Sequence, residues 1–210
     1  MKRHIPSILL LAFAFCVSGT LARAQNVDVF FGVGTVTDTS AHTVVDTFGT
    51  GFPFTTPALG GSFGKIGGDF MFTKHFGFNA ETDFRFSQDN YAGLQTRPMF
   101  YDFNGVYMPT FGRFSRIAPE LEGGVGGVHM NFSYSQSECD AFGGCSTSTN
   151  LVDTSNHFQV HVGGGLRFYA TKHVFLRPQV DYRYVPNFFQ YGRNNVVEYG
   201  AALGYSFGER

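Results

Sequence analysis

Phe76-Gly-Phe-Asn-Ala-Glu-Thr-Asp-Phe-Arg-Phe86 alternates with a period of two. One face carries Phe76, Phe78, Ala80, Thr82, Phe84 and Phe86; the other carries Asn79, Glu81, Asp83 and Arg85. A helix would scatter these positions around its circumference. A strand sends successive side chains to opposite sides. The stretch therefore reads as an amphipathic strand, with rings on one face and charges on the other.

Seven more segments follow the same rule, at about 26–35, 62–73, 98–108, 117–129, 157–169, 175–185 and 196–207. Val27, Val29, Phe31 and Val33 oppose Asp28; Ile66, Phe70 and Phe72 oppose Lys65 and Asp69; Met99, Tyr101 and Phe103 oppose Asp102 and Asn104. Later, Leu121 and Val125 oppose Glu120 and Glu122; Phe158, Val160 and Leu166 oppose His161 and Arg167; Leu176, Val180 and Tyr182 oppose Arg177, Asp181 and Arg183; Tyr199, Leu203 and Tyr205 oppose Glu198. Each segment, about 10 to 13 residues long, matches the roughly 9–11 residues that a tilted strand needs to cross a bilayer. Pro119 and Pro178 each remove one ladder donor from their strands.

The connections alternate in length. Residues 36–61 and 130–156 are long loops, 74–75 and 170–174 are short turns, and 87–97, 109–116 and 186–195 lie between. Long loops at one end and short turns at the other are the layout of an up-and-down barrel in an outer membrane. Thr73-Lys-His and the strand after it recur 98 residues later at Thr171-Lys-His, with Asp83 and Arg85 matched by Asp181 and Arg183. That offset is half of an eight-stranded ring.

Composition agrees. Charged residues make up 15% of the chain and aromatics 17%, with 26 Phe, 10 Tyr and 27 Gly. A formal charge of −1 offers no basic surface to a nucleic acid. Residues 1–24 read as a secretory signal peptide: Lys2 and Arg3, an apolar run from Ile8 to Val17, then Ala22-Arg23-Ala24. Residues 25–210 then form the barrel domain. Cys139 and Cys145 remain after export, and an oxidising compartment favours a disulfide between them. A metal held by these two thiolates finds no His in the intervening loop to complete it.

Period two alone does not say which face points inward. An eight-stranded barrel has an interior just wide enough for side chains to fill. The rings of the uncharged face would overfill it, while Gly67, Gly124, Gly126, Gly163, Gly165, Gly200 and Gly204 sit on the charged face, where space is short. The charged face is therefore the lumen. It contributes Asp28, Asp69, Glu81, Asp83, Asp102, Glu120, Glu122, Asp181 and Glu198, and the bases Lys65, Arg85, Arg167, Arg177 and Arg183. Charges away from water must pair, so the expectation is a salt-bridged network filling the barrel. A narrow cation-preferring water path is the alternative. The acids recur on every strand, which argues against a single catalytic cleft.

With its leader, eight amphipathic strands, Glu122-Gly-Gly-Val-Gly-Gly127 and the closing Tyr205-Ser-Phe207, the chain resembles the small OmpA/OmpX-like outer-membrane barrels. The resemblance implies an all-β, eight-stranded antiparallel up-and-down transmembrane β-barrel. It also implies outer-membrane lipid as surroundings and the barrel-assembly machinery as a partner during biogenesis. Such chains typically end on an aromatic residue; here Gly208-Glu209-Arg210 follow Phe207. Some small barrels are lipid A deacylases with a His-x-Ser pair on one strand, and no His here is followed two residues later by Ser. Loop residues Asp153, Ser155 and His157 could imitate a palmitoyltransferase-type trio. The expected protein is non-enzymatic and without cofactor or metal. Its role is structural or surface-interacting through the loops, with a pore as the alternative and a lipid-modifying enzyme behind it.

Overall fold

The computed structural model describes residues 26–38, 44–46, 49–56, 59–109, 116–140, 144–188, 191 and 194–207. The leader read at residues 1–24 and the displaced end at 208–210 lie outside the described residues. The strands are β1 (Asn26–Asp38), β2 (Val44–Val45), β3 (Phe54–Thr55), β4 (Ser62–Met71), β5 (Phe76–Arg85), β6 (Asp89–Tyr91), β7 (Leu94–Thr96), β8 (Met99–Tyr107), β9 (Ile117–Cys139), β10 (Cys145–Tyr169), β11 (Val174–Tyr184) and β12 (Asn195–Ser206).

Eight of them form a closed antiparallel ring, β1-β4-β5-β8-β9-β10-β11-β12. The seam pairs β1 with β12, from Asp28 opposite Ser206 to Asp38 opposite Val196. Closure leaves no unpaired edge, which a sheet in hydrocarbon requires. Both prolines lie within ladders, Pro119 opposite Leu166 and Pro178 opposite Ala201.

The alternation decides the facing. Phe78, Phe103 and Leu203 are 63%, 64% and 62% exposed, whereas Asp83, Asp181 and Arg183 are 0% exposed. An apolar exterior around a polar interior is the arrangement of a barrel solvated by lipid. Inside, large residues sit over small ones. A Cβ on Gly67 would come within 2.5 Å of the Phe30 ring, and one on Gly204 would strike the Phe175 ring.

The two short turns are built alike. Thr73 Oγ1 accepts the amides of His75 (3.2 Å) and Phe76 (2.8 Å), and Thr171 Oγ1 accepts those of His173 (3.2 Å) and Val174 (3.0 Å). Each His then donates from Nδ1 to a carbonyl at the end of the adjoining strand: His75 to Met108, one residue past β8 (3.0 Å), and His173 to Ser206, the last of β12 (2.9 Å). The repeated Thr-Lys-His is thus a clip holding the next strand's end.

One sequence expectation is overturned. Residues 130–156 are not a long loop. β9 runs to Cys139 and β10 starts at Cys145, and the two pair up to Cys139 opposite Cys145, with one register shift between Leu151 and Asp153. The reason is local. Asn131-Phe-Ser-Tyr-Ser-Gln-Ser and Thr147-Ser-Thr-Asn-Leu-Val lack Gly and Pro, and their Ser and Thr satisfy one another across the ladder. Ser135 Oγ lies 3.2 Å from Thr149 Oγ1, and Ser137 Oγ 3.0 Å from Thr147 Oγ1. Loop 36–61 likewise contains the small β2–β3 ladder, and 87–97 the β6–β7 hairpin.

Candidate functional site

The lumen is the part of the fold with chemistry to offer. The structure places all fourteen sequence-derived lumen residues inside the barrel and buries each of them. Thirteen join one connected network; Arg85 does not. It sits at the long-loop rim and pairs with Asp89 at 2.5 Å.

Four cations organise the rest. Near the short-turn end, Arg167 bonds Asp28, Glu120 and Asp69, the last at 2.7 Å. Arg177 reaches Glu120 at 2.9 Å and Glu122 at 2.7 Å. One layer up, Lys65 Nζ contacts Asp181 (3.0 Å), Glu81 (3.1 Å), Glu198 (3.2 Å) and Asp83 (3.7 Å). Arg183 holds Glu198, Asp83 (2.5 Å) and Asp102 (3.0 Å). Guanidinium forks suit such crowding, because five donors in a plane satisfy several carboxylates at once. Breaking a buried pair strands a charge, which is far costlier than the net worth of the pair.

The rings Phe30, Phe100 and Phe175 and the amides Gln159 and Gln179, which sequence reading missed, complete the site together with Asn79, Asn104 and His161, which it placed on the charged face. Arg177 lies over Phe30 at 4.5 Å, Arg167 over Phe175 at 5.0 Å and Arg183 over Phe100 at 5.2 Å. Gln159 donates to Asp102 (2.6 Å), and Gln179 to Glu122 (2.5 Å) and Asp181 (2.7 Å), joining the two layers. Asn79 donates to Asp69 (2.7 Å), Asn104 to Asn79 (3.1 Å), and His161 Nδ1 meets Asn104 Oδ1 at 2.9 Å. The signal for all of these was present in the alternation: each occupies an inward position of its strand.

The network is closed at both ends. Towards the long loops, Phe63, Phe100, Tyr91, Phe132, Phe188 and Tyr191 pack into one apolar cluster with Val36, Leu59, Val128, Met130, Val185 and Val196. Towards the short turns, Met71, Val106 and Met108 form a smaller one. The charges sit between two apolar plugs. Sequence reading expected the salt-bridged network to fill the barrel and did not anticipate these plugs.

Other candidates separate. Cys139 and Cys145 form a disulfide at the tip of the β9–β10 hairpin. Ser155 Oγ and His157 Nε2 are 3.3 Å apart, but Asp153 turns to the amide of Thr154 at 2.8 Å and completes no trio with them.

No protein-family model matches the chain. No curated protein sequence matches it. Solved structures do. A major outer membrane protein from Thermus thermophilus aligns with a TM-score of 0.55 at 12% identity over 88% of this chain and 100% of its own. Neisserial surface protein A gives 0.52 at 13% identity over 86% and 95%, and the outer membrane protein OprG from Pseudomonas aeruginosa 0.50 at 13% over 88% and 96%. At these identities the likeness is one of fold, and that fold is the small eight-stranded outer-membrane β-barrel.

Proposed function

We propose that the protein is a non-enzymatic anchor in the outer membrane, a sealed barrel that presents the β9–β10 hairpin and its neighbouring loops for contact at the cell surface. The observation that carries this reading is the contrast along β9 and β10. Below Phe132 they are barrel wall around a packed lumen. Above it they stand out as a ribbon whose residues 134–139 and 145–154 are exposed. Seven residues beyond Phe132 project roughly 20 Å at the usual rise of a strand. Outer-membrane barrels keep short turns on the periplasmic side and long connections outside, which directs this ribbon outwards.

The sealed lumen argues against the pore alternative. Arg167, Arg183, Asp83 and Asp181 have no exposed surface, and the rings above them are equally buried. The acids pair with cations inside the barrel instead of lining a water-filled cleft, which supports a non-catalytic role.

Two experiments test the reading. The refolded full chain in a planar bilayer is expected to give no steady conductance, and regular channel openings would favour the pore. An epitope inserted beside Gly144 is expected to be detectable on intact cells. Detection only after permeabilisation would place the hairpin in the periplasm and end the surface reading.

A further inference from the structure

The lumen network does not balance. Nine buried carboxylates face four buried cations, Lys65, Arg167, Arg177 and Arg183. Unpaired buried charge is expensive, so protons or a further cation are needed to offset the excess.

The geometry says where. Asp69 is paired with Arg167 and therefore acts as an acceptor. It accepts a hydrogen bond from the Asn79 amide, whose oxygen accepts one from Asn104, whose oxygen faces His161 Nδ1 at 2.9 Å. The relay fixes Nδ1 as the protonated ring nitrogen. His161 Nε2 then aims into a group of carboxylates. It is fully buried, makes no hydrogen bond and lies 3.3 Å from Asp181 Oδ1. Glu81 Oε2 is equally buried and equally without a partner.

Lys65 engages Glu81 Oε1 and Asp181 Oδ2, which leaves Glu81 Oε2 free of it and Asp181 Oδ1 beside the histidine. One atom each from His161, Glu81, Glu122 and Asp181 lie within 4.8 Å of one another. Gly163 keeps the space open: a Cβ there would run into Asp181 Oδ1 and stand 3.0 Å from Glu122 Oε1.

We propose that the lumen holds one divalent transition-metal ion of the zinc class, liganded by His161 Nε2 and by carboxylate oxygens of Glu81, Glu122 and Asp181. One imidazole and three carboxylates make the four-coordinate N/O set that zinc accepts, with bonds of about 2.0–2.2 Å after a small contraction of the cluster. The outer shell is in place. A metal-bound His usually donates its other N–H to a neighbour that fixes the ring, and Asn104 is that neighbour. Gln179 Nε2 donates to Glu122 Oε1 and Asp181 Oδ1 and holds the two carboxylates together. The ion would replace two of the missing positive charges, and between two apolar plugs it would exchange slowly.

The test uses the untagged chain, refolded in detergent with zinc, stripped of loose metal with a chelator and analysed for bound metal. The barrel is expected to retain about one equivalent and to release it on boiling. His161→Gln is expected to stay heat-modifiable on a gel and to retain none, and Asn104→Ala to bind about 10–100-fold more weakly. A wild-type barrel that is heat-modifiable yet carries no zinc, and none after refolding with cobalt or manganese, would overturn the proposal, because the extra positive charge would then be protons alone. Retention of the metal by folded His161→Gln would overturn the ligand assignment. If that variant does not fold, X-ray absorption on the zinc-loaded wild type decides: one imidazole in the metal's shell supports the site, and a shell without nitrogen contradicts it.

Discussion

β9 and β10 are one continuous ladder that lives in two environments. From Leu121 to His129, β9 has β8 on one side and β10 on the other, and inward side chains of its barrel part, Glu120 and Glu122, join the lumen network. From Tyr134 to Cys139 its only ladder partner among the described residues is β10, and both faces are exposed. β7 touches the boundary, pairing Thr96 with Phe132 and Gln95 with Ser133. The backbone hydrogen bonds are of the same kind throughout. What differs is everything that backs them, and an isolated two-stranded ribbon is marginal in water without a packed face. The ladder sets the shape. The lumen and the lipid decide which part of that shape resists opening.

The comparison breaks most visibly in the lumen. Arg183→Met leaves Asp83, Asp102 and Glu198 without their shared cation, and a loss of about 3–5 kcal/mol is expected from stranding buried charge. Urea titration of the heat-modifiable band reads it. A wild-type midpoint would mean that the network is wet and the charges are screened.

A somewhat smaller effect is expected on the outer wall. Thr82 faces out between Ile66 and Tyr101. Thr82→Arg near the bilayer midplane should cost about 2–4 kcal/mol, measured by unfolding from lipid vesicles. The same substitution at Thr149 on the hairpin should leave barrel stability unchanged, because water surrounds it.

The disulfide sharpens the contrast. A ring this short stabilises by at most about 2–3 kcal/mol, and it acts on the ribbon alone. Cys139→Ser with Cys145→Ser is expected to insert and stay heat-modifiable, while external protease cuts the hairpin faster. Failure to assemble would show that the hairpin props the barrel.

The smallest effect belongs to the first long connection. Asp46 accepts the amides of Gly51 (2.6 Å) and Thr50 (3.0 Å), and these bonds, led by Gly51, hold its carboxyl below the ordinary range. A lowered value means that the turn's support is present above the ordinary carboxylate range and is lost as pH falls through the lowered one. Asp46→Asn should loosen the backbone at Thr50 and Gly51 to protease at neutral pH and leave the barrel untouched.

The barrel was legible because period two, repeated eight times, survives any misjudged boundary. Charged lumen positions were legible for the same reason. The inward rings Phe30, Phe63, Phe100 and Phe175 obey the same alternation, but apolar residues on a polar face draw no notice until registers stack them above Gly67 and Gly204 or against Arg177 and Arg183. His161 was read on the correct face. Its importance depends on Asn104, two strands round the ring, and on Asp181, one strand away, and no local pattern encodes that juxtaposition. The hairpin was misread because a Ser- and Thr-rich stretch without an apolar face looks like loop. Its cross-strand Ser–Thr pairs exist only once the register is set.

Residue-resolved hydrogen exchange along β9 and β10 in detergent micelles tests the central contrast most directly. The expected profile is a step at Phe132 and Ser133: residues 121–129 exchange only when the whole barrel opens, and residues 134–139 with 145–150 exchange far sooner. Uniformly slow exchange from Leu121 to Cys139 would contradict the account, because the hairpin would then share the stability of the barrel wall.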